Sequence, residues 1–119
     1  NYQVFEVNPY LRIIEPEISV IGRKVVAKFK LEQVSSNEVY RISLFAHSHI
    51  DVSNKLNIVN RTEELNRSIT DGEAFELSIN LEDYTSTLVP GKSYYFRIGA
   101  QSHGSETKYN YSASVQLDI

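Results

Sequence analysis

The amino-acid sequence predicts an all-β fold, a sandwich of seven antiparallel strands built as a single domain over residues 1–119. Apolar residues recur with period two in one segment after another, the spacing of strands with one buried side. No stretch carries a 3.6-residue stripe of helical length. Gly, Pro, Asn and Ser punctuate the chain about every ten residues, the rhythm of a sandwich. At 119 residues and 13.6 kDa the chain has room for one two-layer core and not for two.

Taken in order, Leu11 and Ile13, then Ile18 and Val20, define a first strand broken at Pro16, because proline is confined to sheet edges and bulges. Gly22 to Lys24 supplies a turn. Val25, Ala27, Phe29 and Leu31 then alternate with Val26, Lys28 and Lys30, giving a dry face and a basic wet face. After the polar break at Ser35 to Glu38, Tyr40, Ile42, Leu44 and Ala46 alternate with Arg41, Ser43 and Phe45. From His47 to Gly72 the period fails. Long structureless loops are uncommon in compact domains, so one or two short strands are expected there, near Lys55 to Asn60 and Asn66 to Ile69. Phe75, Leu77, Ile79 and Leu81 resume strict alternation. A loop over Ser102 to Asn110 leads to a last strand in which Tyr111, Ala113, Val115, Leu117 and Ile119 form the inward row.

Between the last two long strands lies Leu88-Val-Pro90-Gly91-Lys-Ser-Tyr94-Tyr-Phe96-Arg-Ile98-Gly-Ala100. Pro90 and Gly91 suit the central positions of a tight turn, since proline presets φ and glycine tolerates positive φ. Beyond the turn, Tyr94, Phe96, Ile98 and Ala100 share one face. This spacing resembles the corner and following strand of fibronectin type III and related Ig-like sandwiches, where a tyrosine hydroxyl bonds back to upstream backbone. The resemblance makes Leu88, Pro90, Gly91 and Tyr94 a structural corner. The tryptophan usual in the second strand of such modules is absent, and Phe29 is expected to fill its volume.

Composition excludes several functions. Net charge is −3, and the basic residues are scattered singly, so nucleic acid is not an expected partner. Without cysteine there is neither a disulfide framework nor a thiolate metal site. No apolar run approaches the roughly 18 residues needed to span a bilayer, so direct membrane insertion by this domain is not expected. The lack of any methionine points to a segment of a longer gene product.

Few residues suggest chemistry. His47-Ser-His49-Ile-Asp51 is the one metal-like arrangement, because ligands at i, i+2 and i+4 would share one face of an extended strand. The spacing matches the start of the metallo-β-lactamase motif, but Val52 stands where a further histidine is needed. Solvated residues at a strand end are the competing reading. Carboxylate pairs at Glu15/Glu17, Glu63/Glu64 and Glu82/Asp83 fall at strand ends or in predicted loops, where solvated acids are the norm. With no nucleophile elbow, triad pattern or phosphate loop, no catalytic residue is assigned, no cofactor is expected and the chain reads as a non-enzyme. His103, Lys108, Tyr109 and Tyr111 form a candidate binding surface, since tyrosines at a loop end can stack on sugars or anchor a protein, or can simply pack.

Beyond the corner, Asn8-Pro-Tyr10-Leu-Arg12-Ile, the strand from Gly22 to Leu31 and the segment Lys108-Tyr-Asn-Tyr-Ser112 resemble the C-terminal domain of a family of gut-bacterial outer-surface lipoproteins. That family accompanies starch-utilisation-type glycan uptake systems. The resemblance implies an upstream carboxypeptidase-regulatory-like sandwich, a lipid anchor outside this chain and a place at the bacterial outer-membrane surface. It implies a non-catalytic accessory module, either a spacer or a binding face for glycan or a neighbouring uptake protein. The alternative is a fibronectin-type adhesion or receptor module that binds a protein partner.

Overall fold

In the computed structural model, residues 11–33, 36–104 and 109–119 are described; the opening Asn8-Pro-Tyr10 motif and Lys108 lie outside them. Among the described residues there are eight strands: β1 (Leu11–Ile21), β2 (Lys24–Gln33), β3 (Val39–His47), β4 (Val59–Arg67), β5 (Glu73–Asn80), β6 (Ser93–Ser102), β7 (Asn110–Tyr111) and β8 (Val115–Asp118). One sheet has the order β1-β2-β5 and the other β4-β3-β6, with β7 and β8 both paired to β6. Every pairing is antiparallel. β7 and β8 are two halves of the seventh predicted strand, so the sandwich is the one the periodicity implied.

The core lies between the sheets. Val25, Ala27, Phe29 and Leu31 of β2 meet Ile42, Leu44 and Ala46 of β3 and Phe96, Ile98 and Ala100 of β6, all buried. Phe29 is buried there, with its ring 6.0 Å from that of Phe75. Val26, expected on the wet face, is also buried.

Three irregularities reset which side chains face inward, because an added residue flips everything beyond it. In β1 the register shifts between Ile14 and Glu17, and Glu15 takes φ 52°. The bulge accommodates Pro16 and moves the inward row from Leu11 and Ile13 to Ile18 and Val20. In β3 a shift between Val39 and Arg41 makes Val39 the inward residue, so Tyr40, expected in the core, stands half-exposed outside it. At the end of the chain, Gly99 pairs with Tyr111 but Phe96 pairs with Val115, a slip of one residue. Val115, Leu117 and Ile119 pack on the core as expected, whereas Tyr111 faces the other side of the sheet and Ala113 is exposed. Ser112 anchors the break: its N–H donates to the Ile98 carbonyl at 3.0 Å and its Oγ accepts from the Ile98 N–H at 3.1 Å.

The segment 47–72 holds one strand, β4, where one or two short ones were expected, and it runs across the interval between the two stretches named for them. It is an edge strand whose burial is confined to Val59 and partly to Thr62 and Leu65, so it has too few apolar positions to show a period. Arg67 at its end donates to Glu73 of the opposite sheet from Nη2 and Nη1, at 2.6 and 3.2 Å, joining the two layers. Arg67 and the Thr70 N–H together hold the Glu73 carboxyl below the ordinary glutamate range.

The corner forms as the motif requires. Lys92 N–H donates to Val89 O at 3.2 Å around Pro90 and Gly91, and Gly91 has φ 87°, the positive value a type II turn needs. Tyr94 is 6% exposed, and its hydroxyl accepts the Val89 N–H at 2.9 Å. Leu88 is fully buried beside it, and Leu81, expected at the end of a strand, is buried from a 3₁₀ turn (Leu81–Tyr84) instead. Tyr94→Phe leaves the Val89 N–H without its acceptor and should cost about 1–2 kcal/mol, read as a lowered midpoint in chemical denaturation.

Candidate functional site

The register of the β4-β3-β6 sheet places Arg41, Ser43 and Phe45 of β3 beside Gln101, Gly99 and Arg97 of β6, on the side away from the core. Glu64, Thr62 and Asn60 of β4 flank them. Such a row would ordinarily be wet, yet Phe45 is only 2% exposed. Its cover is the tyrosine pair that the slip before β8 turns outward. Tyr109 meets Phe45 edge to face at 5.5 Å, and Tyr111 lies 6.2 Å from it. The two tyrosines stack on each other at 5.7 Å and 19°.

Arginines flank the pair. The Arg41 guanidinium lies over Tyr109 at 5.2 Å, and that of Arg97 over Tyr111 at 4.6 Å. Arg41 also lies over Tyr40 at 4.8 Å, and the Tyr40 ring is 4.6 Å from that of His103. A continuous ladder results: His103, Tyr40, Arg41, Tyr109, Tyr111, Arg97. Hydrogen bonds fix its members. Tyr109 Oη lies 3.2 Å from Ser43 Oγ, Tyr111 Oη accepts the Asn54 N–H at 3.0 Å, and His103 Nε2 is 2.6 Å from Asn66 Oδ1. The loop after β3 closes one end, with Val52 buried and its carbonyl 3.3 Å from Arg97 Nη1, while Ile50, Leu56 and Ile58 remain exposed.

Of the sequence-predicted residues, the structure brings together Tyr109, Tyr111 and His103 on this face. The tyrosine rings are half-buried and stack on one another and on the arginines, and both hydroxyls are engaged within the protein. Tyr40, Arg41, Phe45 and Arg97 were not singled out. The available signal was a phenylalanine and a glycine on the outward row of neighbouring strands, a pattern that asks for an aromatic cover.

His47, His49 and Asp51 do not share a strand face, because β3 ends at His47 and the following residues turn. The His47 Nδ1 accepts the His49 N–H at 3.0 Å and the His49 Nδ1 accepts the Asp51 N–H at 3.1 Å, so each lone pair serves the turn. Among the described residues no group of three potential ligands is close enough to hold an ion. The carboxylate pairs are likewise dispersed: Glu82 pairs with Arg23 at 2.9 Å and Glu15 with Lys30 at 3.2 Å. Glu15, Glu17 and Glu76 line an open hollow of about 480 Å³ with Lys28 and Lys30, on the other sheet and away from the tyrosines. No helix among the described residues is long and apolar enough to cross a membrane.

The family described as "Domain of unknown function (DUF3823_C)" matches residues 11–116. The chain belongs to the DUF3823_C family. A Bacteroides uniformis protein, provisionally named carbohydrate binding, is 29% identical to this DUF3823_C domain over 97% of the chain, with a TM-score of 0.88. DUF3823 family proteins of Bacteroides ovatus and Parabacteroides merdae superpose at 0.75 and 0.76 over 92% of the chain, at 18% and 22% identity, and share the fold. The chain spans 60%, 56% and 53% of the length of these three structures respectively. No curated protein matches the sequence.

Proposed function

We propose that this DUF3823_C domain is a non-catalytic accessory module of a bacterial cell-surface lipoprotein and lends a binding face to glycan capture and uptake. The observation that carries this reading is the likeness, over nearly the whole chain, to the Bacteroides uniformis protein provisionally named carbohydrate binding. The ladder face supports it chemically. Sugars are recognised by aromatic surface set among fixed polar groups, and here Tyr109 and Tyr111 lie on the same face as the half-buried hydroxyl of Thr62 and the exposed amide of Asn60. The lipid anchor and outer-membrane location belong to the same proposal and rest on the family resemblance of the sequence.

A glycan array probed with this domain and, in parallel, with the full secreted protein tests the reading. Both are expected to retain the same glycans. Binding by the longer protein alone would make this domain a spacer, and binding by neither would remove the glycan-capture reading.

A further inference from the structure

We infer that Arg41 is a preset receptor for an oxyanion, so that the saccharide taken by the ladder face is acidic, bearing a carboxylate or a sulfate. This rests on the glycan-binding reading above and narrows its ligand class.

The two arginines of the ladder are spent differently. Arg97 donates from Nε to the Ser112 carbonyl at 2.7 Å and from Nη1 to the Val52 carbonyl at 3.3 Å, so it ties the broken last strand and the 48–58 loop to the sheet. Among the described residues Arg41 donates from Nε alone, to Gln101 Oε1 at 2.9 Å. Its guanidinium is oriented by that bond and by the Tyr40 and Tyr109 rings, leaving both Nη groups uncommitted among the described residues. No carboxylate of the described residues comes within ion-pair distance of it. Glu64 is its register partner on β4, yet the Glu64 carboxylate lies 3.4 Å from the Tyr40 hydroxyl and forms no pair with Arg41.

A guanidinium fork matches the paired oxygens of carboxylate or sulfate, and it stays charged at any physiological pH. Because two rings and one hydrogen bond already restrict Arg41, little rotamer freedom is left to lose on binding. Beside it, the buried Ser43 hydroxyl holds those of Tyr109 and Thr62 in place, and the exposed side chain of Asn60 on the same face is open to the hydroxyls of a sugar ring. A neutral saccharide would leave the fork unused.

Calorimetric titration of this domain with tetragalacturonate, with its fully methyl-esterified form and with a sulfated galactan tetrasaccharide tests the inference. At least one acidic ligand is expected to bind about tenfold or more tighter than the ester at low salt, and the two acidic arms tell which oxyanion is preferred. Arg41→Gln should reduce the ratio to below about twofold, with Arg41→Lys intermediate because it keeps charge without the fork. In the unmodified domain, the Arg41 Nε–Hε resonance should move with the acidic ligand and not with the ester, a readout independent of variant folding. Equal binding of acid and ester would overturn the inference while leaving glycan capture standing. A preference that survives Arg41→Gln would overturn the role of Arg41. Failure of this domain to bind any of the three would also overturn the inference, whereas the glycan-capture reading falls only if the full secreted protein is silent on the array.

Discussion

Phe45→Ala is expected to destabilise the domain by about 3–5 kcal/mol, the range of a phenylalanine deleted from a true interior, although Phe45 lies on the sheet face directed away from the core. The ring is 2% exposed, against 0% for Phe96 inside the sandwich. It carries the edge of Tyr109 and borders Tyr111, and both tyrosines are held in place by hydrogen bonds to Ser43 and Asn54. Those bonds limit how far the cover can sink into the space vacated, and a site that cannot collapse keeps its cavity. In thermal melts the loss should lower the midpoint on the order of 10–20 °C for a domain of this size. The near-ultraviolet circular dichroism of the tyrosines should weaken with it. A loss below about 1 kcal/mol would mean that the tyrosines lie loosely on the sheet and that the ladder is no second packed layer.

Much of the fold was legible because β2, β5 and β6 each keep strict alternation along their length, and because Pro90, Gly91 and Tyr94 encode a turn and a tether with their own chemistry. The break at Pro16 was legible for the same reason, since proline announces its bulge. The breaks at Tyr40 and Ser112 were not. Neither residue type forbids a regular ladder, so periodicity ran straight through each site, putting Tyr40 inside and Tyr111 in the inward row. What decides both is tertiary. Val39 is the better core residue at the start of β3, and Ser112 satisfies both polar groups of Ile98 while the chain slips by one position. β4 was hidden because an edge strand with two solvated faces has no period to read.

The candidate site depends on those hidden slips. Tyr109 and Tyr111 were legible as residues suited to binding, but their joint placement over Phe45 requires Tyr111 to face outward, which only the one-residue shift before β8 achieves. The histidine run failed for the converse reason. His47, His49 and Asp51 share a face only if the strand continues, and the chain bends at Ser48, turning the ring nitrogens into acceptors for the turn's own N–H groups. Spacing predicts a ligand set only where the backbone conformation that gives it meaning persists.

Gly99→Val tests the same packed layer from the other side. Gly99 is an extended-strand glycine whose requirement is space, since a Cβ there would stand 2.8 Å from Phe45 Cε2, 2.9 Å from Tyr109 Cδ1 and 3.3 Å from Tyr111 Cε1. Three rings converge on the missing side chain. Phe45 is enclosed, so the strain must be relieved by lifting the tyrosines and losing their bonds to Ser43 and Asn54. Overpacking of this kind costs about 1–3 kcal/mol for a modest insertion, and valine, with two methyls beyond Cβ, should reach or exceed the upper end. Gly99→Ala should fall lower in the same range. If crowding against Phe45 is the cause, Gly99→Ala combined with Phe45→Ala should cost less than the sum of the two single changes, by at least about 1 kcal/mol, because removing the ring makes room for the methyl group. Denaturation midpoints of the four proteins in that cycle measure the coupling directly. Strict additivity would show that the glycine is needed for something other than the rings above it.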